Sequence, residues 1–327
     1  MAILLIIRWW LEKRAVPKPV STDTEKMLEN PIPQIFSPPY LFYLPDRDKQ
    51  TVKLCLAIKE HEQTTTKQRP LVCLVSGESQ ESHDKFKDCF VGKTLPKLYS
   101  WISSENDVQC LELTMGNCNQ NRAELQKDIF NKLIKKLPHF PAEENKAGVT
   151  KLLAGGGKPV IFYIDILVED CKPVNDIIEK GFIEFWRDWP EPQDDWFINQ
   201  QDKQNYRLLV FMCFRYPDTT KTWLKFSNPL SIRRKVTQQL AHLDENLSKS
   251  IYWFQVGAVV LPQLESIKKE TAIEWLRDDC KKKFNFRYDT LQTIEAKIRQ
   301  FYQGHSNGIP MEILASKLQE ILQETIR

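Results

Sequence analysis

The sequence predicts an α/β fold: a three-layer sandwich with a mainly parallel sheet, extended at its C-terminus by helices alone. Three observations carry this. Short apolar runs at residues 71–75, 160–167 and 208–214 show no polar alternation, the mark of strands buried on both faces. Between them lie segments with apolar residues at helical spacing, and strands that alternate with helices pair in parallel through right-handed crossovers. After Pro262 the strand-like runs stop and only helical periodicity remains.

The elements follow in order. Six prolines between residues 16 and 39 remove backbone donors too often for helix or central strand, so residues 1–39 read as an apolar arm and a linker. A first helix follows Asp46 or Asp48 and runs through Val52, Cys55, Leu56 and Lys59. After the strand at 71–75, Ser76 and Gly77 turn the chain into a helix with Phe86, Cys89 and Phe90. A strand at 108–113 precedes a helix with Leu125, Ile129, Leu133 and Leu137. The strand at 160–167 leads to an amphipathic helix carrying Val174, Ile177, Ile178, Phe182, Phe185, Trp186 and Trp189. The strand at 208–214, a helix with Val236 and Leu240, and strands at 251–254 and 258–261 complete a core spanning residues 40–265. Residues 266–327 form the helical extension: a helix at 268–283, one with Leu291, Ile294, Ile298 and Phe301, and one with Ile313, Leu314, Leu318, Ile321 and Leu322 after Pro310.

Composition narrows the function classes. With 327 residues, 42% hydrophobic and 27% charged, the chain sits far from the disordered corner. A net charge of +3 is too small for a dedicated nucleic-acid surface, and no nucleic acid is expected as a partner. The run Lys281–Lys283 with Phe284, Phe286, Arg287 and Tyr288 mixes cations and aromatics, but Asp278 and Asp279 beside it favour a solvated helix end. Eight cysteines form no Cys-x-x-Cys pair and no cluster with histidine, so neither metal nor disulfides are expected, and a cytoplasmic location follows. The apolar residues 1–11 are about half of the ~20 needed to span a bilayer and are interrupted by Arg8. A membrane-surface helix with Trp9 and Trp10 at the interface is one reading; a short apolar arm lying on its own domain is preferred.

Chemistry concentrates after the first strand. A strand, a glycine turn and a helix mark the place of a nucleotide-binding P-loop, where helix N-terminal amides face phosphate. The segment reads Gly77, Glu78, Ser79, Gln80, Glu81, Ser82, His83, Asp84. Aligned to Gly-x-x-x-x-Gly-Lys-Ser/Thr from Gly77, only Gly77 matches: Ser82 replaces the second glycine, His83 the lysine and Asp84 the hydroxyl. The expectation is a P-loop-NTPase-like fold with a degenerate phosphate loop, in which Glu78, Glu81 and Asp84 repel a triphosphate and no cofactor is held. Asp165 stands where a magnesium-associated acid would end a core strand, and with neither lysine nor hydroxyl beside it reads as a strand-end polar residue. Gly155-Gly156-Gly157-Lys158 precedes a strand rather than following one and reads as a turn. The five histidines are scattered, with no hydrolase motif to focus them, so no catalytic residue is assigned.

These residues resemble the inactive STAND domain, a degenerate relative of the signal-transduction ATPases with numerous domains found in bacterial, notably cyanobacterial, conflict systems. The resemblance covers nearly all of residues 40–327. It rests on Tyr43-Leu-Pro-Asp-Arg47 with Gln50, and on Leu71-Val-Cys-Leu-Val-Ser-Gly77 leading to Gln80, His83 and Phe86. It continues through Leu167-Val-Glu-Asp170, Gly181-Phe-Ile-Glu-Phe-Trp186 with Trp189-Pro190, Ala258-Val-Val-Leu-Pro262 with Leu264 and Trp275, and Ile309-Pro-Met311 with Leu314. The resemblance implies an NTPase-like fold without hydrolysis, acting as a sensor or scaffold through a protein partner, an effector or adaptor. Two rivals are a nucleotide-dependent switch with a non-standard phosphate loop and a membrane-surface adaptor acting through residues 1–15.

Overall fold

The computed structural model describes residues 39–45, 47–64, 68–116, 121–139, 141–170, 177–216, 229–249 and 257–326. The chain divides into two units, Met1–Ser37 and Pro38–Arg327, and the described residues belong to the second. Trp9, Trp10 and the rest of residues 1–15, the linker up to Pro38, Asp46, Val174 and the strand expected at 251–254 lie outside the described residues.

Five strands, β1 (Leu71–Glu78), β2 (Gln109–Met115), β3 (Val160–Leu167), β4 (Leu208–Tyr216) and β5 (Gly257–Val260), form one sheet in the order β2-β3-β4-β1-β5. Every pair is parallel, so all strands end at the same edge; β4 is the central strand, and β1 lies between β4 and the edge strand β5. This is the parallel-sheet α/β sandwich that the apolar runs predict.

Because successive strand residues point to opposite faces, each strand feeds two cores. Cys73, Val75, Tyr163, Phe211 and Cys213 face one side, where α1 (Asp48–Glu62) and α2 (His83–Cys89) cover them; α2 runs on through a π-helical turn, Phe90–Thr94. Val72, Leu74, Phe162, Ile164, Val210 and Met212 face the other. There they meet α3 (Arg122–Lys136), α4 (Lys146–Gly155), the π-helical turn Ile177–Ile183 with α5 (Glu184–Arg187), and, beyond the polar α6 (Gln200–Asn205), α7 (Pro229–Lys249). Phe162, Trp186 and Trp189 pack in tilted and edge-on contacts with centroids 4.9–6.4 Å apart beneath this layer.

Three expectations need correction. Helix α1 buries Gln50, Leu54, Ile58 and His61, while Val52 and Leu56 are 58% and 55% exposed; the apolar residues marked the helix but not its inner face. Helices α4 and α6 were not expected: two glycines in α4 and the polar run of α6 hide them, and each is started by an asparagine side chain accepting from an amide three residues on. Ser76 and Gly77 do not turn the chain, for β1 runs to Glu78.

At the C-terminus, α8 (Lys269–Trp275), a π-helical turn (Leu276–Cys280) and α9 (Lys281–Phe284) make one rod, followed by α10 (Tyr288–Phe301) and α11 (Met311–Ile326). An antiparallel bridge joins Ile267 to Ile309, and the Tyr302 hydroxyl donates to the Ile267 carbonyl at 3.0 Å. Helix α11 packs on the 3-10 turn Pro39–Tyr43 and on the turn that follows β1.

Phe211 of β4 is fully buried between Phe86 and Phe90, with ring centroids 6.3 and 5.7 Å away. Phe211→Ala leaves a cavity where three elements meet, and a loss of about 3–5 kcal/mol in unfolding free energy is expected. Urea denaturation of the two proteins measures it.

Candidate functional site

The end of β1 is the place to ask whether phosphate can be held. There the strand is paired on both sides: Gly77 and Glu78 stand in register with Arg215 and Tyr216 of β4, and Leu264 bridges Gly77 from the other edge, its amide donating to the Ser76 carbonyl at 2.7 Å. A P-loop needs these residues to leave the sheet and curl around an anion. Here they stay in it. The chain then makes one 3-10 turn, Ser79–Glu81, passes through Ser82 at φ 51°, a left-handed conformation uncommon for serine, and starts α2 at His83.

Gly77 is a glycine for reasons of packing. A Cβ placed there would lie 2.9 Å from both the Cβ and the carbonyl oxygen of Leu264, and 3.1 Å from Nε2 of His83. The His83 ring, 1% exposed, therefore lies against the residue that a phosphate loop would keep open. Burial, then the charges of Arg47 and Arg215, push its pKa down to about 3, so the ring is neutral at pH 7 and supplies no cation for phosphate.

The acids near this turn sit differently from one another. Glu81 turns inward: it is 1% exposed, paired with Arg47 at 3.3 Å, and accepts from the Ser266 hydroxyl at 3.1 Å. Arg47 also donates to the Glu81 carbonyl at 3.0 Å. Burial raises the Glu81 carboxyl above its ordinary range, and Arg47 only partly pulls it back. Glu78 accepts from Arg233 of α7 at 2.7 Å. Of the three acids expected to face a triphosphate, Asp84 alone lines the cavity at this edge, and it pairs with Lys85 at 3.3 Å. Ser79 is half-buried on the cavity wall; Gln80 is half-buried in the same turn.

Asp165, on β3, does have a partner, contrary to expectation. The guanidinium of Arg215, one strand over, grips it with two hydrogen bonds of 2.5 Å, Nε to Oδ1 and Nη2 to Oδ2. A bidentate pair of this kind is the strong form of ion pairing and engages both of the acid's oxygens. Gly155 ends α4 and Gly157, at φ 63°, turns the chain into β3, so the glycine run serves a helix end.

The cavity itself, about 230 Å³, opens at the C-terminal edge of β1, β2, β3 and β4. Asp84, Glu112, Asp165 and Glu312 line it against one guanidinium, that of Arg215, with Thr114, Tyr163, Ser82 and His83 completing the wall. Nearby, Lys87 pairs with Glu112 at 2.5 Å and lies 5.3 Å from the Tyr163 ring centre. Among the described residues no group of three or more His, Cys, Asp or Glu side chains is arranged to hold a metal ion.

The inactive STAND family profile matches residues 42–214, more than half of the chain. The chain belongs to the inactive STAND family. The match takes in β1 to β4 up to Phe214, with Gly77, His83 and Asp165 inside it. No curated protein matches the chain. Among solved structures, this inactive STAND chain is similar to a chain of Drosophila ORC bound to DNA, at 10% identity and a TM-score of 0.35, covering 99% of this chain and 74% of that one. It is also similar to a chain of the E. coli MS115-1 HORMA:CdnC:Trip13 complex, at 10% identity and 0.36, covering 86% and 90%, and to the Aeropyrum pernix ORC2 protein, at 9% and 0.36, covering 86% and 71%.

Four residues have roles here that the sequence did not reveal, although Arg47 and Leu264 stand in the motifs that carry the family resemblance. Arg47 and Arg215 neutralise the site's acids from 34 and 50 residues away, Leu264 closes over Gly77, and Glu312 reaches the cavity from α11. A usable signal existed for one: Arg215 ends an apolar strand as Asp165 nearly ends its neighbour, and a parallel sheet brings those ends together.

Two outcomes are expected. Gly77→Ala forces Leu264 or His83 to move and lowers unfolding free energy by about 1–3 kcal/mol, read by chemical denaturation; an open phosphate loop would absorb the methyl group at little cost. The second is a pH dependence. The unfolded chain protonates His83 near 6.5 and the folded one only near 3, so the folded state loses stability as pH falls between these values, by up to about 1.4 kcal/mol per pH unit. Thermal unfolding from pH 7 to 4 should show a shallower decline in His83→Leu than in the parent chain.

Proposed function

We propose that this chain is a non-catalytic sensor or scaffold module that acts through a protein partner, an effector or adaptor, in a bacterial conflict or signalling system. The observation that carries the reading is the closed end of β1. The strand stays paired through Glu78, Gly77 has Leu264 and His83 against it, and the cation a triphosphate needs is replaced by a neutral imidazole. Membership of the inactive STAND family supports the same reading.

The neighbouring chemistry agrees. Phosphoryl transfer needs a lysine on the phosphates and a metal held by a hydroxyl and an acid. Here the lysine position is His83, the hydroxyl position is Asp84, and Asp165 is bound to Arg215. A triphosphate entering the cavity would meet four carboxylates and one committed guanidinium, so Coulomb energy opposes it. Surfaces, then, and not turnover, carry the function. Among the described residues no helix is long and apolar enough to cross a membrane.

Calorimetric titration with Mg-ATP is expected to give no saturable heat up to millimolar concentration, a binding free energy weaker than about −4 kcal/mol. Saturable binding in the micromolar range would favour a nucleotide-dependent switch instead.

A further inference from the structure

We propose that the cavity at the C-terminal edge of the sheet binds a small ligand carrying a protonated amine, with a linear diamine as the simplest member of the class. The inference rests on the reading that this edge rejects phosphate, and goes beyond it by asking what the same groups accept.

The charges come first. Arg215, the cation on the wall, is committed to Asp165 through two hydrogen bonds. Asp84 and Glu112 are partly balanced by Lys85 and Lys87. Glu312, in the first turn of α11, has no ion-pair partner among the described residues. Its carboxyl is raised by burial and by the negative charge of Asp84, with Arg215 pulling it only partly back, as befits an acid that lacks a counter-cation.

A second, independent observation comes from the buried wall. Both ring nitrogens of His83 and the hydroxyl of Ser82 have no hydrogen-bond partner, although the residues are 1% and 4% exposed and both line the cavity. Buried polar groups are nearly always satisfied, so unpartnered ones beside a cavity mark where a ligand's groups belong. A neutral imidazole offers one acceptor nitrogen and a serine hydroxyl accepts as well, whereas an ammonium brings three donors and no acceptor. An ammonium thus matches the unpaired carboxylate and the acceptor sites of the imidazole and hydroxyl together; phosphate could accept from the hydroxyl and the ring N–H but would meet the charge of Glu312 and Asp84. A volume of about 230 Å³ suits a molecule of several heavy atoms.

Such a ligand would join Glu312 on α11 to the turn after β1, tying the C-terminal helices to the sheet. This gives the sensor reading a chemical input at the place where α11 packs on the turn after β1.

The test is calorimetric titration of the full chain with 1,4-diaminobutane, with 1,4-butanediol as the neutral isostere and Mg-ATP in parallel. One saturable site for the diamine and none for the diol is expected, with Glu312→Gln weakening the diamine at least tenfold. Glu324→Gln, an exposed change on the same helix away from the cavity, should leave binding as in the parent. Glu312 is itself exposed enough for the amide to be tolerated in the fold. No saturable heat with the diamine, or equal affinity in parent and Glu312→Gln, overturns the proposal. If Mg-ATP binds and the diamine does not, both this inference and the scaffold reading fall. If neither binds, the amine site alone falls.

Discussion

Gly77 has room for a hydrogen atom and nothing more, and much of this edge of the molecule is arranged around that fact. Leu264 presses on it from the strand side and the His83 ring from the helix side. With β4 paired to it as well, the backbone of residues 76–78 is sheet and cannot be a loop. The turn after it is then short, Ser82 takes the left-handed conformation, and α2 begins with its histidine already under cover. Glu81 is carried inward to Arg47 and Ser266, which fastens the start of α1 and the approach to α8 onto the same turn. Breaking a pair so deeply buried leaves an uncompensated charge, which makes this contact a point where three separate stretches of chain are held in one arrangement.

The electrostatics follow the same pattern. Cations at this edge are present but spoken for: Arg47 by Glu81, Arg215 by Asp165, Arg233 by Glu78, Lys87 by Glu112. In a site built for phosphate, positive groups and free amides wait for the ligand. Here each cation has an internal carboxylate, so binding an anion would require breaking a pair before making one. The surplus is negative, and it is borne by Glu312 on the cavity wall.

Much of this was readable from the chain. Runs such as Val160–Leu167 are apolar because both faces are buried, and they gave β3 its bounds without ambiguity. The extension of β1 through Ser76, Gly77 and Glu78 was not readable, since none of the three favours a strand; partners more than a hundred residues away hold them there. The missing lysine and hydroxyl of the phosphate loop needed only the motif. Where the acids point needed the fold. Glu81 resembles Asp84 as a letter, yet one faces Arg47 in the interior and the other faces the cavity. The arginine beside Asp165 became a neighbour only once β3 and β4 were placed side by side.

The end of β1 stays paired in the sheet through Glu78, and the turn that follows it does not receive phosphate. Amide hydrogen exchange at residues 77–83, with and without millimolar Mg-ATP, addresses it most directly. The same exchange rates are expected in both conditions. Protection of these amides on adding the nucleotide, with no change elsewhere in the sheet, would contradict it.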